Sequence, residues 1–509
     1  MSDTDFDALI VGSGMGGLTA AIVLAQEGQK VCVVEQHYRA GGSMHRFFRN
    51  RLGFDTGFHY FGGVGEGGTM HRYLRFLGLG DALSFHALDP DGFDVLKFPD
   101  FEFRIPNGWP ALVRRLKSEF PGEAGAIDRF ASVCQDICAG SLAYSFTEPK
   151  LETTSWTEVT LKGFVDTLTS NERLKACLFG QCLLYGVKPS QAPLELHAFV
   201  VDSMLQGAAG VDGGGDAIAK AMVARIKSLG GQVLLASRVV ALDTEGGRVT
   251  AAHIETKAPK GAVERTRLCA KNFISNAHPK ETLRWLDSAA VSGAYRSRVE
   301  GLTESVSCLA GYFVKDDDGT PARNHNLYAY PSYDIDEAFT NLGFGEEVAH
   351  APSLFMTFPG DREMPKGPKR TMLALGLMRY SSASRFGTGE AFGRTADYEA
   401  QKERWGSELR EAVGQAAPDW SGRVEMVELS TPLTYRDYLQ APEGGIYGSA
   451  KDMNQWGRYA MRPKTRLPNL LLTGQDVLMP GIVGATISGV VTCAYVLGFG
   501  HVFGKVAAA

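Results

Sequence analysis

The chain has no C-x-x-C pair among its eight cysteines and no dense run of Lys or Arg anywhere in its 509 residues. Without the first there is no zinc or dithiol framework to read. The nearest spacings, Cys134/Cys138 and Cys177/Cys182, suit buried helix or loop positions better than a metal site. Scattered thiols fit a reducing, cytoplasmic setting. Without the second there is no electrostatic footprint for a phosphate backbone, and a net charge of -5 with a pI near 6.2 argues against nucleic acid as a partner. A positively charged, apolar leader is also missing, since an apolar strand begins at Phe6 behind an acidic start, so no secretion signal is expected. No low-complexity tract and no repeat period appears.

Charge is absent once more in residues 477–504, a stretch longer than the ~20 residues that span a bilayer. Pro480 and the small or polar residues Gly481, Gly484, Thr486, Ser488, Gly489 and Thr492 predict a glycine-rich loop and a close-packed core helix there rather than a membrane span. What the chain does have is length and 44% hydrophobic residues, enough for two intimately connected domains that fold without disulfide staples.

The strongest local signal lies at the start. D-A-L-I-V at 7–11 reads as a buried parallel strand, G-S-G-M-G-G at 12–17 as a turn, residues 18–26 as a small-residue helix, and V-C-V-V at 31–34 as the next strand, ending at Glu35. This is a βαβ unit. Gly12 permits the tight turn, Gly14 lets backbone approach a pyrophosphate, and Gly17 lets helix and strand pack closely, while the helix N-terminus offers unpaired N–H groups to an anion. Glu35 stands where a carboxylate accepts hydrogen bonds from a ribose diol and repels a 2'-phosphate. The unit predicts dinucleotide binding without separating NAD from FAD.

Past Glu35 the argument passes to resemblance. The continuation through Gly41 and Gly42 resembles the start of the large FAD superfamily that contains amine oxidases, phytoene desaturases, carotenoid isomerases and retinol saturases. At the far end, N-L-L-L-T-G-Q-D at 469–476 and P-G-I-V-G-A at 480–485 resemble its second FAD motif. The resemblance implies FAD as cofactor, held by Gly12, Gly14, Gly16, Gly17, Glu35, Gly42 and Ser43 from the first motif. It also implies Gly474, Asp476, Gly481, Val483, Gly484 and Ala485 from the second, with Asp476 on the ribityl chain. Val239 would lie near the adenine through its backbone, and residues 274–277 would be a strand returning to the FAD domain.

The implied fold is α/β: a Rossmann-type FAD-binding domain of the amine oxidase/phytoene desaturase type, assembled from residues 1–80, 210–285 and 465–509, with an inserted α+β substrate domain at 81–209 and 286–464. A second glycine pattern at 63–68 is rejected as a nucleotide site, because it lies too close behind the first unit and Glu66 would oppose a pyrophosphate. With one Rossmann unit, electrons would be exchanged with an external donor or acceptor.

Within the superfamily, F-D-T-G-F-H-Y-F-G at 54–62 resembles the retinol saturase version of its motif, and P-E-G-G-I-Y-G at 442–448 points to the saturase and isomerase branch. This implies oxidation-reduction on an apolar polyene or isoprenoid-like lipid. The leading expectation is saturation by hydride from reduced flavin, with carotenoid desaturation or cis-trans isomerisation as alternatives. His59, Tyr60 and Tyr447 are the candidates for proton supply or substrate positioning. Flavin amine oxidation is disfavoured by Ile482, which stands after Gly481 where amine oxidases carry an aromatic residue. A prenyl- or lipid-binding escort protein is disfavoured by the intact cofactor motifs. A substrate drawn from membranes predicts peripheral membrane contact, with residues 178–185 as the expected apolar docking patch.

Overall fold

The computed structural model describes residues 4–146, 156–257, 262–345, 351–363, 367–422 and 424–509. The strands Phe6–Val11 and Val31–Val34 pair in parallel, Ala8 opposite Val31 and Val11 opposite Val34, and flank the helix Met15–Gln26. Both strands are covered on both faces, which is why they read as unbroken apolar runs rather than alternating ones. The helix is buried from Met15 to Ala25, so its side chains there are apolar or small all round.

This pair sits at the middle of a parallel sheet ordered Leu470–Leu472, Val263–Ser275, Phe6–Val11, Val31–Val34 and Gln232–Leu234. Three separated stretches of chain therefore build one sheet. The long strand Val263–Ser275 gives its second half to the parallel sheet and its first half to an antiparallel meander with Arg248–Lys257 and Ser237–Glu245. Gly246 and Gly247, at φ 57° and 74°, supply the tight hairpin turn that the meander requires.

Residues 477–504 form no membrane span, and no described helix is long and apolar enough to cross a bilayer. The helix Gly481–Leu497 is buried along most of its length and packs on Met15–Gln26. A Cβ at Gly489 would stand 2.7 Å from the Gly16 carbonyl oxygen and from Thr19 Cβ, so only glycine lets the two helices come this close.

A second sheet runs in the order Glu425–Ser430, Ser307–Asp316, Lys369–Met378, Leu354–Thr357, Asn326–Ala329, Asp94–Lys97 and Glu102–Ile105. The helix Ala396–Ala416 covers one face, burying Trp405 and Leu409 in the same cluster as Leu309 and Phe313. Cys308, Tyr328, Phe355, Leu375 and Leu377 from four of its strands line a cavity instead. The helix Leu194–Leu205 and the turn Cys182–Leu184 close that cavity from another side, with Leu183, Phe199 and Val200 in its wall.

The expectation of a docking patch at residues 178–185 is corrected here. Leu178, Phe179, Cys182, Leu183 and Tyr185 are all buried in the main core, and Gly180 lies flat on Leu96. Their apolarity is used internally. The glycine pattern at 63–68 follows no strand. Gly65 N–H donates to the Gln206 carbonyl oxygen at 3.0 Å, and Gly68 caps the short helix Thr69–Phe76.

Candidate cofactor and substrate site

A cleft of about 300 Å³ runs along the C-terminal ends of the parallel strands. Its wall brings together Gly12, Gly14, Gly16, Glu35, Gly42, Ser43, Val239, Asp476, Gly481 and Ala485, residues drawn from nearly the full length of the chain. The other predicted glycines stand behind it. Gly17 packs on the Gly12 carbonyl, and Gly474 lies against Gly16 and Asn276. Val483 and Gly484 face a neighbouring cavity instead.

The cleft is shaped for an elongated anion-bearing ligand. Two helices, Met15–Gln26 and Gly481–Leu497, begin in its wall with no side-chain cap and no acidic residue in their first turns. Their first N–H groups are therefore available to phosphate or an electron-rich ring. A Cβ at Gly14 would lie 2.6 Å from Asn276 Nδ2, and one at Gly16 would lie 2.7 Å from Gly474 Cα, so side chains there would collide with the residues that back the cleft. Glu35, nearly buried, accepts from Ser13 N–H at 2.9 Å and Ser13 Oγ–H at 2.7 Å on one oxygen and from His37 N–H at 2.8 Å on the other.

Asp476 marks another reach of the cleft. Its Oδ1 accepts from Ser449 N–H at 2.7 Å, while Lys451 Nζ donates to its backbone carbonyl at 2.5 Å and to Ser449 Oγ at 3.2 Å. Burial drives the Lys451 ammonium down to about 8 against the pull of Asp476 and Glu304. Gly448, at φ 67°, leaves room for the carboxylate to lie against its backbone.

A second cavity, about 140 Å³, opens onto the same cleft, with Gly57, Phe58, His59, Cys308, Leu375, Ile446, Tyr447, Gly481 and Ile482 common to both walls. No Asp, Glu, Lys or Arg is among its described lining residues. A third, of about 20 Å³, holds room for a single water and is lined by Asp55, His59, His86, Thr357, Arg362 and Glu363 among others. Phe58 and His59 line all three.

The sequence candidates for chemistry separate clearly here. Tyr60 O–H donates to Asp94 Oδ2 at 2.8 Å, and Tyr447 O–H donates to the Leu183 carbonyl at 2.8 Å. Both protons are committed to the protein. His59 pairs with no side chain among the described residues and packs 5.5 Å from the Phe355 ring. Burial, helped by the Arg362 charge, holds its imidazole down at about 4. Cys308 stays a thiol, pushed up to about 12 by burial, with Sγ–H donated to Tyr435 Oη at 3.3 Å.

A family model described as flavin containing amine oxidoreductase matches residues 15–258. The all-trans-retinol 13,14-reductase of Homo sapiens is 30% identical over 531 residues, covering 96% of this chain and 85% of that protein. The chain belongs to the amine oxidase-like FAD family. Within it, the all-trans-retinol 13,14-reductase of Danio rerio is 29% identical over 532 residues, covering 97% of this chain and 86% of that protein. The family's fold is also seen in an oxidoreductase from Methanosarcina mazei, with a TM-score of 0.64 at 14% identity over 96% of this chain and 99% of that one.

The residues that support the motif residues from behind carry no motif of their own. Ser449, Lys451, His278 and Glu304 surround Asp476, and Asp94 holds Tyr60. One signal was within reach: His278 directly follows residues 274–277, expected as a strand, of which the strand itself ends at Ser275.

Proposed function

We propose that this chain binds FAD in the long cleft and reduces a carbon–carbon double bond of an uncharged, polyene-like isoprenoid in the adjoining cavity, as a retinol saturase-like enzyme. The observation that carries this reading is the junction itself, an uncharged cavity opening onto the end of a dinucleotide cleft at His59, Ile482 and Tyr447. Glu35 would take the adenosine ribose, Gly14 and Gly16 the pyrophosphate, Gly42 and Ser43 the neighbouring backbone contacts, Asp476 the ribityl chain, and Gly481 to Ala485 the flavin end. When bound, FAD supplies two-electron hydride chemistry.

The remaining chemistry belongs to the protein. The walls exclude water and leave an ionised ligand unsolvated, which favours a neutral alkene over an ammonium ion. The cavity has about half the volume of the cleft. The second alkene carbon needs a proton, and His59 is the group at the junction with no side-chain partner among the described residues, one ring nitrogen engaged by the Phe58 backbone and the other left to pass a proton on. Held down at about 4, its imidazole is neutral at rest and would relay a proton rather than store one. Tyr60 and Tyr447 shape the pocket.

The test is anaerobic. The purified protein is reduced with dithionite, all-trans-retinol is added, and products are analysed by mass while the flavin spectrum is followed. Reoxidation with a product two mass units heavier supports the saturase reading. An isomer of unchanged mass, or desaturation of phytoene by the oxidised protein, would replace it.

A further inference from the structure

Asp476 is surrounded by a buried charge cluster that no step of the proposed reaction uses. His278 caps the helix Pro279–Arg284, its Nδ1 accepting from Lys280 N–H at 3.2 Å. An Nδ1 that accepts carries no proton, so the ring hydrogen is on Nε2. Nε2 lies 3.0 Å from Glu304 Oε2 and 3.4 Å from Asp476 Oδ1, within ion-pair distance of both carboxylates and squarely aligned with neither. Glu304 is anchored in turn by Lys280 Nζ at 2.5 Å.

Two features tie this cluster to a ligand. Buried donors and acceptors are nearly always satisfied, yet Nε2 and Glu304 Oε2 have no better-aligned partner than each other, 3.0 Å apart, and His278, Asp476 and the neighbouring Glu281 all line the cleft. Ser449 N–H and His278 both crowd Oδ1, while Oδ2 takes no hydrogen bond from a described residue.

We propose that His278 is a positioning residue for the cofactor: braced by Lys280 and Glu304, it holds Asp476 Oδ1 and leaves Oδ2 turned to the cleft, so that it sets FAD affinity only through Asp476. This rests on the reading of the cleft as the FAD site and deepens it, without depending on which substrate is reduced. Supporting groups behind a ligand-binding side chain typically change affinity by ~10–100-fold.

A double-mutant cycle on FAD binding tests it. The whole chain is stripped of flavin and titrated with FAD, followed by flavin fluorescence, for the wild type, His278→Ala, Asp476→Asn and the double variant. Each single change should weaken binding about tenfold or more, and His278→Ala should cost less than about twofold once Asp476→Asn is present. His278→Gln, which keeps an N–H donor, should recover part of the loss, and it replaces the alanine variant in the cycle if that variant does not fold. An equal loss in both backgrounds, or wild-type affinity in His278→Ala, overturns the proposal while leaving the cleft as the FAD site. Unchanged affinity in Asp476→Asn overturns the assignment of Asp476 to FAD, and the positioning role with it.

Discussion

Tyr60 gives its phenolic proton to Asp94, a carboxylate with no solvent exposure that also takes Gln181 Nε2–H at 2.8 Å and Asn326 Nδ2–H at 2.9 Å. Tyr328 completes the group with a hydroxyl 2.7 Å from that of Tyr60. A tyrosine engaged in this way supports the fold and has no proton to spare for a substrate. Burial already pushes the Asp94 carboxyl up to about 6, so losing one donor leaves it harder still to ionise. Tyr60→Phe should therefore lower unfolding stability by about 1–3 kcal/mol while retaining most turnover. Parallel thermal melts and rate measurements check it; a large fall in rate at unchanged stability would move Tyr60 into the chemistry.

His59 should leave a mark on the acid side of the stability profile. Its ordinary value is 6.5 and the fold holds it at about 4, so below 6.5 the unfolded chain takes a proton that the folded chain refuses. The stability this confers is present above 6.5 and is lost as the pH falls towards 4. His59→Gln lacks the term. Between about pH 7 and pH 5 the wild type should lose about 2 kcal/mol relative to the variant. Urea midpoints of the first unfolding transition at the two pH values give the difference, and a gap independent of pH would show that His59 is not held neutral.

Glu35 organises the first turn and faces the cleft at once. Glu35→Gln removes the charge that Ser13 and His37 point at, weakening charge-assisted bonds worth about 1.5–3 kcal/mol each. Flavin affinity should fall by at least about tenfold. Isothermal titration with FAD measures it; FAD bound as tightly as in the wild type would place the ribose elsewhere.

The two main cavities can be altered separately. Leu377 lines the uncharged cavity and not the long cleft. Leu377→Trp should raise KM for the polyene several-fold by filling that space, with the flavin spectrum unchanged. Loss of flavin along with substrate would mean that the two spaces are not independent.

How much of this was legible in the sequence depends on how local the physics is. The strand, turn and helix at 6–26 were readable because their reasons lie within a few residues: glycines where a Cβ would collide, and apolar runs covered on both faces. Asp476 and the helix after it were readable by resemblance alone. Asp94, Glu304 and Lys451 were not, since each is a single polar residue whose partners arrive from far along the chain, such as Asn326 for Asp94. Residues 178–185 misled for a related reason. Apolarity predicts burial and docking equally well until the neighbour is known, and here the neighbour is Leu96 and the core around it.

The three-part origin of the parallel sheet bears on how the protein is made. Val263–Ser275 pairs with Phe6–Val11 on one side and Leu470–Leu472 on the other, and the helix that closes the cleft starts only at Gly481. A ribosome synthesising the chain at ~5–20 residues per second has exposed the first βαβ unit long before those last elements emerge. Glu35 and Asp476 therefore cannot share a ligand until the second has emerged. A ligand that spans both is captured only after the last elements have emerged, and a nascent chain halted before residue 470 leaves the Val263–Ser275 strand unpaired on one side.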